Sequence, residues 1–244
     1  MIDIHTHILQ GMDDGAASLR EAQALLEKEW DTGVDRLFLT PHYNPETTAP
    51  DTFLTARETA WAALKAELRP EEADRIRLGA EVRFCPQLLS TDLKHLTLGG
   101  SDYLLLELAG QSFPPYLLQT AEKLLRKGIV PVLAHVERYA FFRHDPALLK
   151  QLTDLGVLAQ VSAHTLFSRE DHRFSQACLQ HRLVQLVASD AHRMTGRKPC
   201  MDQVKKLPES ILRMHHAFTE AIWENEVSPY IHTTIVKKTF FGYR

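Results

Sequence analysis

The strongest constraint on the fold is an apolar run of strand length that is followed by a loop and a helix-like segment about seven times in 244 residues. The predicted strands cover residues 1–4, 36–40, 76–82, 103–108, 129–134, 157–161 and 186–192. Strands that are apolar along nearly their whole length are typical of a parallel sheet buried on both faces. The sequence therefore predicts an α/β protein built as a closed or nearly closed β/α barrel.

An open doubly wound sheet is the alternative arrangement of these elements. That fold usually has a glycine-rich phosphate loop after its first strand, and the sequence contains neither G-x-G-x-x-G nor G-x-x-x-x-G-K-[ST]. The length of 244 residues also suits one barrel, which commonly has about 250. We expect a single domain over residues 1–244, with 227–244 as a C-terminal tail.

Helices are predicted between the strands. The first begins at Ser18, where Glu21 three residues later completes a capping-box pattern, and it ends at Gly33. Further helices are predicted over 53–68, 116–127, 146–155 and near 170–181. Residues 45–52 are rich in proline and threonine and are predicted to form a loop.

Composition disfavours several classes of function. The formal net charge of −3 provides no basic field for DNA or RNA. The three cysteines, Cys85, Cys178 and Cys200, are far apart and form no C-x-x-C pair, so neither a disulfide framework nor a thiolate zinc site is indicated. No signal-peptide pattern opens the sequence, and no run approaches the about 20 apolar residues of a membrane-spanning helix. We expect an unsecreted protein of the cytoplasm without an integral membrane span.

Histidines and acids are concentrated at the start of the chain. His5 and His7 follow the first predicted strand two residues apart, so their side chains would point to one face about 6–7 Å apart. Two nearby glycines allow a tight turn that returns Asp13 and Asp14 toward the same place. An isolated His-x-His pair more often caps a strand, but the neighbouring acids favour a site for a borderline divalent metal.

Side chains of metal-ligand type also follow or end five other predicted strands. In a β/α barrel the C-terminal ends of the strands form the active face, so these side chains should converge. The nine candidates are His5, His7, Asp14, His42, Glu81, Glu107, His135, Asp190 and His192. They suffice for two or three metal ions that keep an open coordination position. The histidines without that placement are interpreted as structural: His95, His144, His172, His181, His215, His216 and His232.

Six segments resemble the motifs of the PHP (polymerase and histidinol phosphatase) superfamily: residues 1–15, 40–43, 79–82, 106–108, 133–139 and 188–192. More narrowly, they are similar to its bacterial protein-tyrosine phosphatases of the CpsB/YwqE type, which accompany capsule and exopolysaccharide kinases. The resemblance implies a distorted (β/α)7 TIM-like barrel with three divalent metal ions, manganese first and zinc or iron as alternatives. It also implies action on phosphotyrosine in the C-terminal tail of a bacterial tyrosine kinase.

The resemblance assigns these candidates to three metal ions. The first would be bound by His5, His7, Glu81 and Asp190, the second by Glu81 as a bridge with Glu107 and His135, and the third by Asp14, His42 and His192. Asp13 is an alternative to its neighbour Asp14 in the third set. Arg138 and Arg197 would bind the phosphate, because a planar guanidinium meets two phosphate oxygens at once.

The predicted reaction is hydrolysis of a phosphomonoester, with a metal-activated hydroxide attacking phosphorus in line. A cysteine nucleophile is not expected, because the loop of cysteine-dependent tyrosine phosphatases needs Arg six residues after Cys, and Thr91, Val184 and Lys206 stand there instead. Alternative functions are a phosphatase for small molecules such as histidinol phosphate, a phosphodiesterase, or a metal-stabilised regulatory binding module.

Some positions depart from the family pattern. Gln10 replaces a usual Pro, and Ser162 and His164 lie in a loop that usually has Asn and Gly, which places His164 on the predicted active face. The end of the tail mixes positive charge with aromatic rings in Lys237, Lys238, Phe240, Phe241, Tyr243 and Arg244. This mixture suits peripheral docking on a membrane or kinase, but the favoured interpretation is a segment that packs against the barrel wall or stays loose.

Overall fold

The computed structural model describes residues 1–168, 172–230, 232–239 and 242–243. The strands are β1 (Ile2–Thr6), β2 (Arg36–Leu39), β3 (His42–Tyr43), β4 (Ile76–Leu78), β5 (Glu81–Arg83), β6 (Tyr103–Glu107), β7 (Val130–Leu133), β8 (Leu158–Ser162), β9 (Leu186–Ala188), β10 (Lys238–Thr239) and β11 (Gly242–Tyr243). The α-helices are α1 (Leu19–Thr32), α2 (Pro50–Lys65), α3 (Pro70–Ala73), α4 (Leu117–Arg126), α5 (Ala140–His144), α6 (Pro146–Leu155), α7 (His172–Gln180) and α8 (Glu209–Glu224). This order confirms the predicted α/β class.

Parallel strands form two sheets, one of three strands in the order β1-β2-β4 and a curled one of six strands in the order β3-β5-β6-β7-β8-β9. Backbone hydrogen bonds connect them at both edges. At one edge, the N–H of Gly79 donates to the carbonyl of Leu39 at 2.9 Å and the N–H of Glu81 donates to that of Pro41 at 3.1 Å, so the pairing of β2 with β4 continues into the pairing of β3 with β5. At the other edge, the N–H of Asp190 donates to the carbonyl of His5 at 3.0 Å. The segment after β9 therefore lies against β1.

Several predicted boundaries are wrong for local reasons. The single strand predicted over 76–82 is divided at Gly79 into β4 and β5, which lie in different sheets. The loop predicted over 45–52 and the helix over 53–68 give way to α2 over Pro50–Lys65, because proline suits the first turn of a helix, where no intrahelical N–H bond is made. The strand predicted over 186–192 ends at Ala188, since Asp190 has a left-handed φ of 52°.

Strand β1 runs to Thr6, two residues beyond its predicted end, so His5 lies inside the strand rather than after it. The other predicted strands and helices agree with the structure to within about two residues, except that residues 170 and 171 of the seventh helix lie outside the described part of the chain. The predicted ends of helix α1 are confirmed, because Ser18 Oγ accepts from the N–H of Glu21 at 3.3 Å and Gly33 has a φ of 92°. The capping box is only half formed, since the Glu21 carboxylate accepts from the N–H of Ala17 rather than from that of Ser18.

Helix α8 covers the end of the sheets at which the strands begin. Its residues Phe218, Ile222 and Trp223 belong to the same buried apolar cluster as Leu105 of β6 and Leu186 of β9. A second and larger cluster lies between the strands and the surrounding helices and includes Ile211 near the start of α8. Because one end of the sheets is closed by α8, the opposite end, where the strands finish, is left for a functional site.

The described part of the tail packs against the side of the protein. Tyr243 Oη donates to the carbonyl of Arg143 at 2.8 Å, and its ring meets the ring of Phe174 edge-on at 5.2 Å. Lys238 Nζ lies 3.2 Å from His144 Nδ1. Phe240, Phe241 and Arg244 lie outside the described residues. None of the described helices combines the length and the apolar character needed to cross a membrane.

Candidate metal centre

The nine side chains that sequence analysis singled out lie together at the end of the sheets where the strands finish. They are His5, His7, Asp14, His42, Glu81, Glu107, His135, Asp190 and His192, and each has a ring nitrogen or carboxylate oxygen within 3.9 Å of another member. We call this group the ligand cluster. The ring centroids of His5 and His7 are 5.1 Å apart, so the two side chains share a face as predicted and lie somewhat closer than the predicted 6–7 Å.

Glu81 stands at the centre of the ligand cluster and is completely buried. Its Oε2 atom lies 3.2 Å from Nε2 of both His5 and His7 and 3.0 Å from His42 Nδ1, while Oε1 lies 2.8 Å from His135 Nε2. Burial alone would raise the pKa of Glu81, but the adjacent imidazoles hold it well below its usual value. A carboxylate shared by four imidazoles is placed to bridge more than one cation.

Within the described residues, three subsets have one ligand atom each within 4.8 Å of all the others. The subsets are His7 with Asp14, His42 and His192; His5 with His7 and Glu81; and His42 with Glu81 and Glu107. They overlap the three sets implied by the resemblance, but His7 joins the third set and His42 takes the place of His135 in the second. His135 and Asp190 adjoin these subsets through contacts of 2.8 Å with Glu81 and 3.4 Å with His192.

Gln160 of β8 is a site residue that sequence analysis missed. Its Oε1 atom accepts from the backbone N–H of His135 at 2.8 Å and lies 3.3 Å from His5 Nδ1. Because a backbone N–H can only donate, this end of the amide is the oxygen, and the proton of His5 belongs on Nδ1. Nε2 of His5 is then left with its lone pair toward the ligand cluster, the usual arrangement of a metal-binding histidine. The sequence did contain a signal for this residue, because Gln160 is the one polar side chain in the otherwise apolar strand predicted over 157–161.

The structure separates the roles of the adjacent aspartates Asp13 and Asp14. Asp13 Oδ2 lies 2.7 Å from His7 Nδ1 and accepts from the backbone N–H of His42 at 2.9 Å. Burial would raise the pKa of Asp13, but His7 lowers it to about 2, so Asp13 is an ionised acceptor that orients His7. Asp14 Oδ1 instead lies 3.4 Å from His192 Nε2 and 3.5 Å from His42 Nε2. The geometry therefore favours Asp14 as the candidate ligand.

The unpaired atoms of the ligand cluster test whether it suits a cation. Glu81 Oε2, Asp190 Oδ1 and His192 Nε2 are buried, and although other atoms of the ligand cluster lie 3.0–3.4 Å from them, they make no hydrogen bond to any described residue. Leaving such groups buried without a partner is costly, and a divalent cation satisfies carboxylate oxygens and imidazole nitrogens together. Burial would lower the pKa of His7, but its acidic neighbours raise it to about 10, so a cation must displace a proton there. The residues present fit divalent metal ions.

Two strand ends carry strained backbone. His135 has a φ of 34° and Asp190 a φ of 52°. Left-handed backbone at a residue other than glycine costs on the order of 1–3 kcal/mol and is concentrated at functional sites. His135 and Asp190 are both members of the ligand cluster, so the strained backbone positions candidate ligands directly.

Two arginines lie on the open side of the ligand cluster, each about one-third exposed. Arg138 donates from Nη2 to Asp190 Oδ2, and Arg197 donates from Nη2 to Asp14 Oδ2 at 2.5 Å. Both guanidinium groups therefore reach an acid of the cluster while remaining accessible from outside. The exposed side chain of His164 lies in the turn after β8, on the same end of the sheets.

The remaining candidates of sequence analysis lie elsewhere. In the described residues, no contact joins the ligand cluster to the histidines interpreted as structural, namely His95, His144, His172, His181, His215, His216 and His232. The three cysteines are free and buried, and burial raises the pKa of each thiol. They are therefore protonated near neutral pH and unsuited to act as nucleophiles.

Comparison with known sequences agrees with this geometry. Residues 1–225 match the family of capsular polysaccharide synthesis proteins CpsB/CapC. The tyrosine-protein phosphatase CpsB of Streptococcus pneumoniae is 32% identical over 221 residues, which is 83% of this chain and 87% of that protein. The tyrosine-protein phosphatase YwqE of Bacillus subtilis is 31% identical over 202 residues, which is 81% of this chain and 79% of that protein.

A solved structure is similar over nearly the whole chain. It belongs to a crystallographic study of YwqE from Bacillus subtilis and CpsB from Streptococcus pneumoniae, described as unique metal-dependent tyrosine phosphatases. It matches with a TM-score of 0.85 and 27% sequence identity, covering 97% of this chain and 100% of that one. Residues 1–225, which match the CpsB/CapC family, include every member of the ligand cluster as well as Arg138 and Arg197. This chain belongs to the CpsB/CapC family of capsular polysaccharide synthesis proteins.

Proposed function

We propose that this chain is a metal-dependent protein-tyrosine phosphatase that acts on the phosphotyrosine tail of a bacterial tyrosine kinase in capsule or exopolysaccharide synthesis. The observation that carries the proposal is the ligand cluster around Glu81, with two arginines on its open side. Membership of the CpsB/CapC family and the names of its relatives give the reaction and the substrate class. A location in the cytoplasm follows from such a substrate.

We assign three divalent ions to the site, manganese first, with zinc and iron as alternatives. The ligands are those that the family motifs imply. The first ion is assigned to His5, His7, Glu81 and Asp190, the second to Glu81, Glu107 and His135, and the third to Asp14, His42 and His192. The buried unpaired atoms of Glu81, Asp190 and His192 support this assignment. Bound divalent cations of this kind lower the pKa of a coordinated water toward about 7 and offset the charge of phosphoryl oxygens.

The arginines have a role that depends on the charge of their partners. Arg138 and Arg197 contact Asp190 and Asp14, two acids whose charge a bound cation would offset. Each guanidinium then has donors available for the phosphoryl oxygens of the substrate, where a planar fork can make two parallel hydrogen bonds. We therefore assign Arg138 and Arg197 to phosphate binding and to stabilising its charge during transfer to water.

The same proposal includes the fold. The segments 36–43 and 76–83 are each interrupted once, at Pro41 and Gly79, and hydrogen bonds continue across both interruptions. Counting each as one strand position gives seven positions, and the bonds between β1 and the segment after β9 close the ring. We propose that residues 1–244 form one domain, a distorted (β/α)7 barrel of the PHP type with the tail against its wall.

Turnover of three substrates by the manganese-loaded protein tests this function. We expect a phosphotyrosyl peptide to give a higher kcat/KM than histidinol phosphate or a dinucleotide. Arg138→Met should lower kcat/KM for the peptide about 10–150-fold, because loss of one charged hydrogen-bonding group costs about 1.5–3 kcal/mol. Arg126→Met, in which an exposed arginine of α4 is changed, is the matched control. Preference for either small substrate contradicts the proposal, and metal binding without any turnover identifies a binding module.

A further inference from the structure

A cleft of about 360 Å³ lies beside the ligand cluster, between the start of α1 and the loop 193–195. One wall includes Gly15, Ala17 and Leu25, and the other includes Arg193 and Met194. Its walls continue directly from the ligand cluster, because Gly15 follows Asp14 in the chain and Arg193 follows His192. Whatever occupies the cleft therefore lies next to the place where we assign the phosphate.

The cleft is held in a fixed position relative to the cluster. Arg193 Nε donates to the carbonyl of Asp14 at 3.1 Å, which joins the two walls. A Cβ atom at Gly15 would lie 2.0 Å from the carbonyl oxygen of His7, so this wall is pressed against the strand end that carries a candidate ligand. A side chain bound in the cleft would therefore influence how the reacting group is presented to the cluster.

The cleft has both apolar and polar surface. Ala17 on one wall and Met194 on the other, which is 47% exposed, offer carbon atoms to a ligand, whereas Leu25 is almost completely buried. The charged residues at the cleft, Arg193 and Glu21, have opposite signs, and the Glu21 carboxylate already accepts from the N–H of Ala17 at 2.8 Å. A flexible thioether on an exposed wall adapts to apolar side chains of different shapes.

Another cavity of about 560 Å³ is an unsuitable alternative. It is lined by Leu158 at the start of β8, by Phe218 of α8 and by residues 227–230 of the tail. It therefore lies at the end of the sheets that α8 covers, opposite the ligand cluster. It is therefore not adjacent to a phosphate bound at the cluster.

We propose that the cleft beside the ligand cluster binds an apolar side chain of the substrate polypeptide, close in sequence to the phosphorylated tyrosine. This inference rests on the proposed function and adds a sequence preference to it. A phosphotyrosine projects from a polypeptide chain, so the residues next to it must cross the rim of the site. At the rim formed by Gly15 and Met194 those residues meet a concave surface whose apolar part, at Ala17 and Met194, favours burial of an apolar side chain.

A peptide panel tests the proposal with the manganese-loaded enzyme. Each peptide carries one phosphotyrosine among glycine and alanine, with a single leucine placed in turn at each of the three positions on either side. p-Nitrophenyl phosphate, which has no flanking residues, reports the reaction itself. Met194→Asp places a carboxylate on the wall of the cleft, and Val227→Asp, at an exposed apolar residue at the other end of the protein, is the matched control.

We expect leucine at one or two adjacent positions to lower KM about 5–10-fold, the size of effect that partial burial of one apolar side chain gives. Met194→Asp should remove this preference, while kcat for the peptide and hydrolysis of p-nitrophenyl phosphate change less than about twofold. A wild-type enzyme indifferent to leucine at every position overturns the proposal, as does a preference that survives Met194→Asp. Failure to hydrolyse both p-nitrophenyl phosphate and every phosphotyrosyl peptide instead overturns the proposed function.

Discussion

Substitution of Gln160 by leucine tests how the ligand cluster is held in place. The Oε1 atom of Gln160 accepts from the backbone N–H of His135 at 2.8 Å and lies 3.3 Å from His5 Nδ1. Leucine fills a similar volume but accepts no hydrogen bond. Gln160→Leu therefore removes a contact to the backbone of His135 and a contact to the side chain of His5, while both candidate ligands remain in the chain.

The size of the effect follows from these two contacts. The N–H of His135 is left buried without a partner, which costs about 1–3 kcal/mol of folding free energy. His5 loses the acceptor that keeps its proton on Nδ1, and loss of such a partner typically weakens metal binding 10–100-fold. We expect both effects together, because one oxygen atom makes both contacts.

Calorimetric titration of metal-free protein with manganese measures the binding effect, and chemical denaturation of the metal-free protein measures the folding effect. Gln160→Glu keeps an acceptor in the same place and should retain affinity to within about tenfold. Gln185→Leu is the matched control. Gln185 is also buried and accepts from the N–H of Ala159 at 3.0 Å, but it lies before β9, at the opposite end of the sheet.

The expected pattern is a loss of stability in both leucine variants and a loss of metal affinity in Gln160→Leu alone. Equal metal affinity in Gln160→Leu and wild-type protein would refute the orienting role of this residue. Equal loss of affinity in Gln185→Leu would show that general destabilisation, and not the contact to His5, is the cause.

Three further predictions concern other parts of the molecule. Serine at Cys85, Cys178 and Cys200 together should retain turnover of p-nitrophenyl phosphate, since the three thiols are buried and protonated; loss of turnover in a folded variant contradicts the metal-dependent mechanism. Burial lowers the pKa of His215 from 6.5 to about 4, so the unfolded state binds more protons between these values. Wild-type stability should therefore fall by about 3 kcal/mol more than that of His215→Gln as the pH falls from 6.5 to 4, and parallel urea-unfolding profiles would refute this. Deletion of 237–244 removes the contacts of Tyr243 with Arg143 and Phe174, so it should lower Tm while p-nitrophenyl phosphate turnover at low temperature is unchanged; an unchanged Tm contradicts a structural role.

Much of the site could be predicted because a parallel β/α arrangement brings residues that are distant in sequence to one place. His5 and His192 are far apart in the chain, yet each follows or ends an apolar run, and this placement was enough to predict that they meet. Strand periodicity also predicted that His5 and His7 share a face. These inferences depend on the order of the elements more than on their exact ends.

What could not be predicted depends on tertiary contacts. The sequence could not separate Asp13 from Asp14, since adjacent residues of a turn differ only in what they meet after folding. Gln160 was missed because its importance lies in one oxygen atom that two distant histidines share. The division of the strand over 76–82 also depends on tertiary contacts, because β4 pairs with β2 whereas β5 pairs with β3 and β6.

Removal and replacement of the metal shows whether the ligand cluster acts through bound cations. Protein stripped of metal by a chelator, with its metal content measured, should not hydrolyse p-nitrophenyl phosphate. Addition of manganese should restore turnover in proportion to the bound metal, up to the proposed three ions per chain, because Glu81 and its neighbours cannot activate water or offset phosphate charge alone. Full turnover by protein shown to contain no metal would contradict the account.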